Sequence, residues 1–168
     1  VAVNNKIISI SLRKRVKPKL NFNLKLVKLK REKPEFKNLK YKKILSYLSK
    51  MDNSKSDIAL VSNKKILETG TSNLLFVKNQ KFFTPKKDYY EGNTYKFFKT
   101  KIKRIGKKDI LLKELNDYDE ILLIGSGKGV TSVRTINELN WKRKNLNKFK
   151  FLSNQYNVAI NECDTYRF

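Results

Sequence analysis

The chain opens on alternating apolar and polar residues, "KIISISLRKRV" at 6–16, and a second alternating run follows at 20–30 between Pro18 and Pro34. A period of two sends successive side chains to opposite faces, so both runs are predicted as strands. The second is placed at a sheet edge or in a connecting segment, where bracketing prolines are tolerated. At 39–51 the period lengthens: Leu39, Ile44, Leu45 and Leu48 share one side of a helix. Three short strands are expected next, at 56–63, 66–79 and 81–85. The middle one is broken by "ETGTSN", so Glu68 is expected at the mouth of a hairpin. A helix is predicted from Asn93, after Gly92, with Gly106 as its stop, and a short helix at 110–118. Residues 119–136 read as strand, glycine-rich loop and strand, and 137–162 as largely helical.

Composition narrows the chemistry. A chain of 168 residues is long enough for a sizeable core. It has no His, which excludes His metal ligands and Ser–His catalysis and leaves acid–base work to Lys, Tyr, Asp or Glu. No metal site is expected. One Cys excludes an internal disulfide and fits a reducing compartment. The longest apolar runs are too short to cross a bilayer, and no signal peptide is seen, so a cytoplasmic protein is expected. The net charge of +24 suggests nucleic acid at first sight. However, the lysines are spread along the whole chain beside 18 asparagines, a bias that A/T-rich codons also produce. Nucleic-acid binding is therefore the third of the functional readings.

Three stretches offer chemistry. Gly92-Asn93-Thr94 opens a helix, where free N–H groups and the helix dipole favour an anion; the plain alternative is an ordinary helix cap. Gly125-Ser126-Gly127-Lys128-Gly129 follows an apolar strand but matches neither common nucleotide loop, leaving a tight hairpin or a backbone nest for one phosphate. Glu68 is a lone acid in a basic chain, with a solvated strand-end carboxylate as its plain alternative.

In this order, together with Lys37 ahead of a helix and Tyr41 four residues later, the three resemble the large domain of the class IV (fold type IV) aminotransferases. That family uses pyridoxal phosphate and includes branched-chain and D-amino-acid aminotransferases and aminodeoxychorismate lyase. The pattern here reads Lys37, Glu68 to Asn73, Thr84-Pro85, Gly92-Asn93-Thr94-Tyr95, Asp119-Glu120 and "GSGKGVTSV", over roughly residues 33–136. Asn93 and Tyr95 stand where Ile and Arg are usual, Ser132 where Pro is usual, and Leu75 precedes Phe76 in an unusual order.

The resemblance implies a mixed α/β fold of the D-amino-acid aminotransferase type. Residues 1–32 would be the last strand of a small domain, over 6–13, plus a connection, and 33–168 the cofactor-binding large domain. Most of the small domain would lie outside this chain, so a fragment of a longer protein is expected. The resemblance further implies that Lys37 holds the cofactor covalently and moves the substrate's α-proton, that Tyr41 donates to the ring's phenolic oxygen, and that Glu68 faces the ring nitrogen. Asn93, Thr94, Ser126 and Gly127 would hold the phosphate. A small-molecule amino-group substrate and a homodimer follow from the same resemblance. The spacing of Lys37 and Tyr41 favours aminodeoxychorismate lyase, which makes 4-aminobenzoate and pyruvate, over a branched-chain or D-amino-acid aminotransferase.

Overall fold

A computed structural model describes residues 2–3, 6–9, 17–36 and 41–163. Twelve strands and three α-helices are assigned among them: β1 Ala2–Val3, β2 Ile8–Ser9, β3 Asn21–Lys28, α1 Lys42–Leu48, β4 Ser56–Ser62, β5 Lys65–Thr69, β6 Asn73–Lys78, β7 Lys81–Pro85, α2 Asn93–Lys101, β8 Ile105–Lys108, β9 Ile110–Leu111, β10 Glu120–Gly125, β11 Gly129–Ile136, β12 Trp141–Lys142 and α3 Asn147–Asn161. β1 and β2 form a small antiparallel pair. The others make one mixed sheet in the order β8-β7-β6-β10-β11-β3-β4-β5-β9, with β12 paired to β11.

Side-chain alternation explains how this sheet is covered. One face sends Phe22, Leu24, Ala59, Ile66, Leu74, Phe76, Leu123 and Val133 into a single core. Ile66 of β5 and Leu74 of β6 share that core although their strands stand far apart in the order, so the sheet curls round it. On the other face, Leu75, Val77, Leu122 and Ile124 pack against Tyr95 and Phe98 of α2 and Leu152 of α3. A third cluster joins Val27, Ile58 and Leu60 to Ile44 and Leu48 of α1. β4, β6 and β10 are therefore apolar on both faces, and their sequences are near-continuous apolar runs.

Several expectations are corrected. The run at 20–30 is not an edge or connecting strand: β3 is an inner strand, parallel to both β11 and β4. Its Pro18 and Pro34 lie outside the strand and do not interrupt its ladder. Residues 66–79 do not form a hairpin, because β5 pairs with β4 and β9 while β6 pairs with β7 and β10. The true hairpins are β4–β5 and β6–β7, turned by Asn63-Lys64 and Asn79-Gln80, all four with positive φ. Gly106 does not stop α2, which ends at Lys101; it lies within β8, where a Cβ would come 2.9 Å from the Phe83 ring. The helix expected at 110–118 is a two-residue strand followed by a 3-10 turn at Leu112–Asp117. The long C-terminal helix begins only at Asn147, after β12. Of the strand expected at 6–16, only residues 6–9 are described. No helix among the described residues is long and apolar enough to cross a membrane.

Candidate functional site

The ends of β3, β5 and β10, the start of α1 and the start of α2 surround a cavity of about 340 Å³. Of the residues singled out in the sequence, Tyr41, Glu68, Asn93, Ser126 and Gly127 line it together. Thr94 stands immediately behind, its Oγ1 3.3 Å from Oγ of Ser126. Lys37 lies outside the described residues.

Glu68 is on β5, 3% exposed, and is not the solvated acid that a lone strand-end carboxylate would be. Its Oε1 accepts a 2.8 Å hydrogen bond from Nε of Arg31, a residue the sequence reading did not select. Both side chains of this ion pair are nearly buried. Among the described residues, Oε2 receives only a long contact, 3.4 Å, from the Tyr90 N–H. Burial pushes the carboxyl above its ordinary value, while the Arg31 charge and hydrogen bond pull the other way. The Arg31 guanidinium also lies over the Tyr41 ring, 5.8 Å from its centroid. One arginine thus fixes both the acid and the aromatic ring that lines the same cavity.

The second group of lining residues is neutral. Gly92 precedes α2 in extended conformation, and no side chain caps that helix start, so the first-turn N–H groups of Asn93 and Thr94 have no intrahelical acceptor. Asn73, the first residue of β6, ties this region down: its Oδ1 accepts the Gly92 N–H at 3.0 Å and its Nδ2 donates to the Tyr90 carbonyl. A Cβ on Gly92 would meet that Oδ1 at 3.1 Å, and one on Gly125 would meet Oγ of Ser72 at 2.9 Å. Glycine at both positions lets the backbone pack closely against those two side chains. Tyr95 points away into the core, edge-on to Tyr89, and burial pushes its hydroxyl up to about 12.

A buried carboxylate with spare acceptor capacity, an uncapped helix start and paired hydroxyls therefore share one cavity. This donor and acceptor set fits a small planar ligand that carries a protonated ring nitrogen and a phosphate. Arg31 and Tyr90 gave no sequence signal, since a pairing between β5 and the chain 37 residues before it leaves no periodicity.

A family model described as amino-transferase class IV matches residues 8–136. No curated protein matches the chain. Among solved structures, the branched-chain amino acid aminotransferase of Thermobaculum terrenum in its PLP form superposes with a TM-score of 0.73 at 16% identity, over 90% of this chain and 55% of that one. The branched-chain aminotransferase of Thermoproteus uzoniensis with norvaline gives 0.71 at 16% identity, over 87% and 52%. A structure from Legionella pneumophila, described as a 4-amino-4-deoxychorismate lyase, gives 0.65 at 18% identity, over 88% and 59%. The chain thus spans between 52% and 59% of the length of these structures.

Proposed function

The chain belongs to the class IV aminotransferase family, and from that premise we propose that it is the cofactor-binding part of a pyridoxal-phosphate enzyme acting on the amino group of a small molecule. The observation that carries this is the buried, half-satisfied Glu68 in the same cavity as the uncapped start of α2 and Ser126. Pyridoxal phosphate, when bound, supplies an electron-withdrawing ring that stabilises negative charge at the substrate's α-carbon.

The residues of the chain divide the work. Glu68 would face the ring nitrogen and balance its charge. Arg31 holds Glu68 in place and opposes the effect of burial on its carboxyl. Tyr41 donates to the phenolic oxygen. Asn93, Thr94, Ser126 and Gly127 hold the phosphate through backbone N–H groups and hydroxyls, and Asn73 keeps 90–92 in position for it. Lys37 would hold the cofactor covalently and carry the α-proton.

For the reaction, the four-residue spacing of Lys37 and Tyr41 supports a lyase that converts 4-amino-4-deoxychorismate to 4-aminobenzoate and pyruvate. The better superposition on branched-chain aminotransferases supports amino transfer as the second reading. The working form we propose is a homodimer; Leu45, which lines the cavity, and Tyr47 on the same helix are exposed apolar side chains that a second subunit would cover.

The test is chemical. Protein mixed with pyridoxal phosphate should absorb visible light, and borohydride should fix the label on the peptide containing Lys37. Label on another lysine, or none, overturns the assignment. Release of 4-aminobenzoate from 4-amino-4-deoxychorismate, set against amino transfer from branched-chain or D-amino acids to a 2-oxo acid, decides between the two reactions.

A further inference from the structure

A second buried ion pair lies beside the cavity. Nζ of Lys128 is 2.6 Å from Oδ2 of Asp57; the Asp57 side chain is fully buried and that of Lys128 is 11% exposed. The same oxygen accepts from Oγ1 of Thr71 at 2.7 Å and is 3.2 Å from Oγ1 of Thr69, while Oδ1 accepts the Ile58 N–H at 2.8 Å. Lys128 also donates to Oγ1 of Thr71 at 2.9 Å, and its ammonium stands 4.8 Å from the centroid of the Phe22 ring on β3.

Burying such a pair is a poor general way to gain stability, because desolvation cancels much of the attraction. Lysine is also among the residues least often buried. What this pair achieves is a connection. It joins the start of β4, the turn at 70–72 between β5 and β6, and the turn at 126–128 between β10 and β11. β4 and β11 are not neighbours in the sheet, since β3 runs between them. Within the turn carrying Ser126, the Lys128 N–H donates to Gly125 O at 3.1 Å, and Oγ of Ser126 lies 3.3 Å from Oγ1 of Thr94.

We infer that the Asp57–Lys128 pair is a positioning device: it clamps the 126–128 turn to the 70–72 turn, and so sets where Ser126 and the neighbouring amides meet a phosphate. This rests on the cofactor reading above. A misplacement of the order of 1 Å at such a turn weakens its grip on an anion without touching the rest of the cavity.

Two variants test it, Lys128→Met and the doubly neutral Asp57→Asn/Lys128→Met, the second leaving no unpaired buried charge. Binding of pyridoxal phosphate should weaken by about tenfold or more, while pyridoxal, which lacks the phosphate, should bind within about twofold of the parent protein. Amide hydrogen exchange at 126–129 should quicken while the centres of β6 and β10 keep their protection. Equal weakening towards both ligands, or unchanged phosphate-ligand binding, overturns the inference. So does a double variant that cannot fold, which would make the pair a structural requirement. A parent protein that binds neither ligand overturns the cofactor reading instead. The exchange experiment then decides the inference alone: quickening confined to 126–129 supports it, and unchanged exchange sinks it.

Discussion

Glu68 and Glu120 are both buried acids, on β5 and β10, and burial pushes both carboxyls above their ordinary value. They differ in how their oxygens are used. Oε1 and Oε2 of Glu120 accept the N–H groups of Lys148 and Phe149 at 2.7 and 2.9 Å, one good bond each. These are free donors at the start of α3, so Glu120 caps that helix and balances its dipole from across the chain. Glu68 has one good bond, from Arg31, and one long contact, and it faces a cavity. A satisfied buried acid is complete as structure, whereas a half-satisfied one facing open space is prepared for a partner.

The sharpest way to break this comparison is turnover. Glu68→Gln keeps the shape and removes the charge. With cofactor bound, its turnover should fall about a hundredfold or more, because the interaction strengthens as charge develops in the transition state. Glu120→Gln should keep near-parent turnover, and a comparable loss in both variants would erase the distinction.

Denaturant unfolding reads the opposite side. Glu120→Gln keeps one acceptor oxygen but turns an NH₂ towards the other backbone donor, and should cost about 1 kcal/mol, the ordinary value of a helix cap. No loss would mean that α3 is held by Leu152 and its neighbours rather than by the cap.

The smallest expected effect is in pH. Glu120 holds its proton more tightly in the native chain than in the unfolded one, whose carboxyl titrates in the ordinary carboxylate range. Its contribution is therefore present below that range and is lost as pH rises through the raised native value. The stability advantage of the parent protein over Glu120→Gln should shrink with rising pH across that window. An advantage that grows would mean that the two amide bonds outweigh burial.

Much of this was legible in the sequence where pattern is local. Continuous apolar runs marked β4, β6 and β10, and Gly92 followed by a new period marked the start of α2. Glu68 and Ser126 stood out because an acid and a glycine-bounded hydroxyl are rare against so many lysines. The partners were not legible. Arg31 and Lys128 are two among 39 basic residues, and only the fold distinguishes a buried cation from an exposed one. The same limit explains β3. Its alternation was read correctly as a strand, but nothing within 20–30 says that its neighbours are 56–62 and 129–136.

That placement has a consequence for how the protein is made. β3 leaves the ribosome well before the strand on one of its sides, β11, which is more than a hundred residues further along, and Ser132 must reach Asn21 before the ladder closes. The β4–β5 hairpin can form soon after synthesis, and so can β6–β7. They remain in two separate halves until β11 arrives to join them through β3. Closing so long a loop is entropically costly, and sheets completed this way fold slowly. Until then, the apolar β6 has no β10 beside it, which makes the unfinished chain a natural client for chaperones.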